Sequence, residues 1–225
     1  YTWFVPHDVK GLTQLVGSRE AFTEKLNHSF ELASKHDFVS GKSHANETQE
    51  HNRRVYINYG NQPSMQTAFL FNFSGAPWLS QYWTHQIMDK VYGDLSPEYG
   101  YSGDEDQGLM GSLAVLLKIG IFSTNGGTSE KPYYEIVSPQ FDKITIKLNP
   151  KYYTGKSFTI ETNHGTGENE KIYIDSAELN GKPLDQPWVL HDTLVKGGTL
   201  KLNLKNIPNK KWGSETSQAP PSMTN

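Results

Sequence analysis

Three consecutive acids stand between glycines in Gly103-Asp104-Glu105-Asp106-Gln107-Gly108, directly ahead of an apolar stretch from Leu109 to Ile119. Carboxylates packed this closely repel one another, so holding them together takes protons, a metal or an arranged set of donors. The plainer reading is a solvated helix start, because acids at a helix N-terminus are stabilised by the macrodipole. A second turn, Tyr59-Gly60-Asn61-Gln62-Pro63, stands in the equivalent place before another helical stretch at Ser64. An Asn-Gln-Pro turn is ordinary capping chemistry. If the two helices run in parallel, the two loops face one pocket.

The elements that must carry these loops show two textures. Up to about Ile121 the apolar spacing is helical. Val9, Leu12, Leu15 and Val16 recur at three and four, Gly17 ends that stretch, and Ser18 caps a second one bearing Phe22, Leu26 and Phe30. Residues 35–58 are polar and irregular and read as a long surface loop with His44, His51, Arg53 and Arg54. Helical spacing resumes from Ser64 to Phe73, breaks at Gly75-Ala76-Pro77, and returns with Tyr82, Trp83, Ile87, Met88 and Val91. After Gly126-Gly127 the pattern alternates as in strands, at 134–137, 144–148, 158–160, 172–174, 188–190 and 200–204, with turn signals such as Asn180-Gly181. The expected fold class is α+β. Its expected divisions are a helical unit over 1–127, a β-rich segment over 128–213 and a polar, frayed tail over 214–225.

Composition narrows the function. The 225 residues carry a formal charge of -3, which offers no basic field for nucleic acid. No apolar run approaches the roughly 20 residues of a membrane span. There are no cysteines, so neither a disulfide framework nor a thiolate zinc site is available. Five Trp and twelve Tyr suit a protein that stacks rings on sugars, and suit an ordinary core equally. Trp3, Trp78 and Trp83 stand at helical spacing and read as core. The opening Tyr1-Thr2-Trp3-Phe4 reads as the middle of a core, so residue 1 is not expected to be a natural start. Three sequons occur, at Asn27, Asn46 and Asn72.

Five motifs taken in order carry a resemblance. Tyr1-Thr-Trp-Phe-Val-Pro-His-Asp8, Gly60-Asn-Gln-Pro-Ser64, Gly103-Asp-Glu-Asp-Gln-Gly108, Ser138-Pro-Gln-Phe-Asp142 and Pro208-Asn-Lys-Lys-Trp-Gly213 resemble the C-terminal half of family 92 glycoside hydrolases. What the resemblance implies is a calcium-dependent, inverting exo-α-mannosidase, secreted or periplasmic, acting on a mannose-containing oligosaccharide or N-glycan. It implies the C-terminal part of an (α/α)6 barrel, followed by strands that pack on a β-sandwich. The sandwich and the general-acid Glu would belong to an N-terminal portion outside this chain. By the same resemblance Asp106 is the general base with Asp104 assisting, and Asn61, Gln62 and Asp104 are calcium ligands. Asn61 and Gln62 would also touch the sugar. Where Gln62 stands the family usually has Glu, and a pair of His residues just after it is replaced by Met65 and Gln66. His7 could contact sugar too, although donation to a backbone carbonyl, with Asp8 stabilising the helix start, explains the pair as well. The alternative to an enzyme is a non-catalytic carbohydrate-binding or structural module on the same fold. A protein-interaction β-domain at 128–213 is a third class, its amphipathic strands packing on a partner sheet.

Overall fold

The computed structural model describes residues 1–40, 55–96, 100 and 108–224. The helices are α1 (Val9–Val16), α2 (Arg19–Ser34), α3 (Pro77–Lys90), α4 (Leu109–Ile119) and a single turn, α5 (His191–Leu194). Local chemistry sets their ends. Asp8 accepts from the Gly11 amide at the start of α1, and Ser18 from the Ala21 amide at the start of α2. Pro77 occupies the first turn of α3, where no partner for its missing N–H is needed. Gly120 ends α4 at φ 81°, and a Cβ there would lie 2.6 Å from the Val137 carbonyl oxygen.

The strands are β1 (Ile121–Phe122), β2 (Tyr133–Ile136), β3 (Lys143–Lys147), β4 (Ser157–Thr162), β5 (Tyr173–Leu179), β6 (Lys182–Pro183), β7 (Trp188–Leu190) and β8 (Gly198–Lys205). They form a three-stranded sheet in the order β1-β2-β7 and a five-stranded sheet in the order β3-β4-β8-β5-β6. The β4–β8 pair is parallel and the other pairs are antiparallel. Asn180 and Gly181 both take positive φ, the turn that joins β5 to β6.

Two hydrophobic clusters result. One gathers the helices around Phe22, Leu26, Phe30, Phe71, Trp83 and Leu113. Each such side chain, fully buried, contributes about 1.5–3 kcal/mol. Trp3 meets Phe22 edge-on and Trp83 stacks on Phe30, so both are core. The second cluster lies between the sheets, with Ile136 and Val189 from one and Phe158, Ile160, Leu200 and Leu202 from the other. Trp212 is buried there, its indole N–H donating to the Leu184 carbonyl.

The structure revises some of these expectations and refines others. The stretch from Ser64 to Phe73 is not an α-helix; it forms 3-10 turns at Gln62–Ser64 and Thr67–Asn72. All six residues of the second turn are buried, so no polar face exists to set an amphipathic winding, and packing on every side sets it instead. The apolar stretch from Leu109 to Ile119 is α4, as expected, and Ile121 then pairs with Ile136 in the first strand of a sheet. The long 35–58 connection, of which 41–54 lie outside the described residues, is anchored at both ends by buried Phe38 and Ile57. Phe38 holds a left-handed φ of 60° against Phe30, Tyr59 and Trp83, packing that outweighs the backbone cost of about 1–2 kcal/mol. The apolar face of the five-stranded sheet packs on this chain's own smaller sheet. The face left open is polar, with Glu161, Glu178, Lys201 and Asn203.

The tail is also revised. Residues 215–224 fold back on the body instead of fraying. Gln218 accepts from the Trp188 indole, Pro221 from the Tyr133 hydroxyl, and Ser222 and Thr224 donate to the Asp8 carboxylate.

Candidate active site

The turn carrying Asn61 and Gln62 is fixed from below. The Tyr59 hydroxyl accepts from the Ala68 amide at 3.0 Å, and the Tyr59 carbonyl accepts from the Tyr92 hydroxyl at 3.1 Å. Asn58 closes the turn: its side-chain oxygen accepts from the Gly60 amide at 2.9 Å, and its backbone N–H donates to the Ser64 hydroxyl at 3.1 Å. Tyr59 is fully buried, so its hydroxyl is held far from ionising. The sequence singles out Asn61 and Gln62, whereas the positioning role of Asn58, Tyr59 and Tyr92 is visible only in the fold. A buried Tyr inside a polar turn was the available signal. The Asn61 side chain is exposed and makes no capping bond to the turn it precedes, against the capping reading.

Gln62 lines a cleft of about 830 Å³. Its walls include Leu109 at the start of α4, Thr124, Tyr134 and His191. The turn before the 3-10 segment and the entry to α4 therefore converge on one cavity. Asp104, Glu105 and Asp106 lie outside the described residues; Asp106 is three positions before Leu109 in the chain. His7 is exposed and opens on a neighbouring cavity of about 730 Å³ with Trp188 and Met223, while Asn125 borders both. The His7 carbonyl accepts from the Met223 amide at 3.3 Å. His7 is thus not brought onto the cavity of Gln62.

The cleft's polar wall comes from the β-segment, where no motif in the sequence marks a site residue. The Tyr134 hydroxyl lies 3.2 Å from His191 Nδ1, and burial holds that phenol above its ordinary value. Behind Thr124, Glu135 is completely buried on β2. Its Oε2 accepts from the Thr124 amide at 3.1 Å, while Oε1 has no hydrogen-bond partner among the described residues. Burial pushes its carboxyl up to about 7, only partly countered by hydrogen bonding from Thr124. Among the described residues no group of three or more His, Asp or Glu is arranged to hold a metal ion. No helix among them is long and apolar enough to cross a membrane.

Residues 1–206 match a family model described as the glycosyl hydrolase family 92 catalytic domain. An uncharacterized secreted glycosidase of Arthroderma benhamiae is 32% identical over 221 residues, covering 98% of this chain and 24% of the relative. A family 92 inverting mannosidase from Bacteroides thetaiotaomicron superposes with a TM-score of 0.77 at 29% identity, over 100% of this chain and 29% of its own. An α-mannosidase of the same family and organism, solved with mannoimidazole, gives a TM-score of 0.79 at 25% identity, over 99% of this chain and 27% of its own. The chain thus spans about a quarter of the length of the relatives it matches.

Proposed function

The chain belongs to glycosyl hydrolase family 92, and from that premise we propose that it contributes the base-side half of an inverting exo-α-mannosidase site. The observation that carries the reading is the shared cleft: Gln62 and the first residue of α4 line one cavity. Asp106 and Asp104 immediately precede that helix in sequence.

In this reading Asp106 takes the proton of the hydrolytic water, with Asp104 holding that water's second hydrogen. Inversion requires a second carboxyl about 6.5–9.5 Å away, across the sugar, to protonate the leaving oxygen. That acid, the remaining barrel helices and the sandwich come from an N-terminal portion. The donor set suits calcium, a hard cation that prefers oxygen ligands. Asn61 and Gln62 offer amide oxygens, the Asn61 side chain is not spent on capping, and Asp104 adds a charge. Bound there, the ion would supply positive charge to sugar hydroxyls. Asn58, Tyr59 and Tyr92 keep the amide-bearing turn in place. The protein acts outside the cytoplasm on terminal α-linked mannose of oligosaccharides or N-glycans.

The test is mannose release from an aryl α-mannoside by the complete protein, with and without a calcium chelator, and by Asp106→Asn. A general base contributes about 10²–10⁴ in rate, so the substitution should remove activity on that scale. NMR of the first-formed product should show the β-anomer. Unchanged turnover after both treatments rejects the mechanism, and mannoside binding without any hydrolysis points to a non-catalytic sugar-binding module.

A further inference from the structure

Away from the cleft, two histidines and one glutamate meet where α3 packs on the five-stranded sheet. His85, on α3, is buried, and its Nε2 lies 3.0 Å from both the carbonyl and the hydroxyl oxygen of Ser138. The Ser138 hydroxyl spends its own hydrogen on the Ile172 carbonyl. Both Ser138 oxygens therefore accept, and Nε2 of His85 carries the proton. That leaves Nδ1 as a lone pair, buried and without a hydrogen-bond partner among the described residues, 3.7 Å from Glu170 Oε1. Burial depresses the His85 imidazole to about 4, so it stays neutral in all but acidic solution.

His164 follows β4 and stacks on His85 with ring centroids 5.7 Å apart. Its Nδ1 lies 3.0 Å from the Lys171 carbonyl, which can only accept, so Nδ1 carries a hydrogen. Its Nε2 lies 3.3 Å from the same Glu170 Oε1. A neutral His164 would turn a second lone pair on the carboxylate. No metal ion resolves the opposition, since no such group of ligands exists among the described residues. A proton does: the imidazolium form of His164 donates from Nε2 to Glu170.

We propose that His164 and Glu170 form a proton-operated clasp that closes the 163–171 connection on itself against His85 of α3, closed when His164 carries two protons and slackened when it is neutral. The other groups around it fit this role. Asp89, on α3, interacts electrostatically with both His164 and Lys118 of α4. Asp142, ahead of β3, accepts from the Gly165 amide at 3.3 Å and ties down the same connection. Neutral His85 stacked on the ring adds no competing charge. Glu170 is 40% exposed at its side chain, so solvent protons reach the clasp without unfolding.

A double-mutant cycle on the purified protein tests this, using Glu170→Gln, His164→Gln and the pair, with urea midpoints read at pH 5.5 and pH 8.5. The expected result is non-additive midpoints at the lower pH and additive midpoints at the higher. Additivity at both, or equal coupling at both, overturns the proposal. If a variant fails to fold, hydrogen exchange on the unaltered protein serves instead. The Lys171 amide, which donates to the His164 carbonyl at 2.8 Å, should lose protection relative to the β4 amides at pH 8.5, after correction for intrinsic rates. A constant protection ratio across the two pH values overturns it equally.

Discussion

Replacing Glu135 by Gln should stabilise this protein, and by an amount that depends on pH. The carboxyl is fully buried on β2 and receives one amide hydrogen bond, from Thr124. Its ordinary value of 4.5 is raised to about 7 in the fold, burial being the main cause. The folded protein thus keeps a proton that the unfolded chain loses. The stabilisation is fully present below about pH 4.5 and is lost as pH rises through about 7. At about 1.4 kcal/mol per pH unit, the loss reaches about 3 kcal/mol above neutrality. Gln keeps an oxygen for the Thr124 amide and never ionises. Urea unfolding at pH 4 should therefore give near-equal stabilities for Glu135→Gln and the unaltered protein. At pH 8 the variant should be ahead by about 3 kcal/mol, or about 6–12 °C in Tm for a chain of this length. A variant no more stable at pH 8 than its parent would refute the claim that Glu135 is buried without a compensating cation among the described residues.

Two further outcomes follow from the same physics. Asp8→Ala removes both the cap of α1 and the anchor of the tail. It should cost about 1–2 kcal/mol and release residues 215–224 to limited proteolysis. An equally protected tail in the variant would contradict that role. Although burial works against it, hydrogen bonding from Thr224, Ser222 and Gly11 holds the Asp8 carboxyl well below the usual carboxylate range. The anchor's contribution is therefore present above about pH 4 and lost on acidification below it. Of the sequons, Asn72 is fully buried, and the Asn27 side chain bridges Trp83 and Glu31. Secreted from a eukaryotic host, the protein should carry no glycan at either site by peptide mass spectrometry; a glycan at Asn72 would mean that the Thr67–Asn72 segment is not packed as described.

Much of the local structure was legible in the chain. Gly17 and Ser18 separate α1 from α2, Pro77 opens α3, Gly120 closes α4, and the alternation in residues 144–148 and 200–204 falls within β3 and β8 or at their ends. The five serial motifs also pointed to the family that the comparisons show. These signals are short-range: a φ that only glycine takes readily, a missing N–H, a side chain reaching an amide three residues on. Other features depended on contacts between distant segments. Nothing local announces that β4 and β8 pair in parallel, or that Thr67–Asn72 winds tightly because every side is buried. Nor could spacing show that Gln62 shares a cleft with Tyr134 and His191, or that His85 and His164 turn toward one glutamate. The chain alone determined where α1 ends and α2 begins, and where α3 opens and α4 closes, because those choices are made over three or four residues. Which polar groups are buried, and which side chains meet, was decided by tertiary packing, because burial is a property of what arrives from elsewhere in the chain.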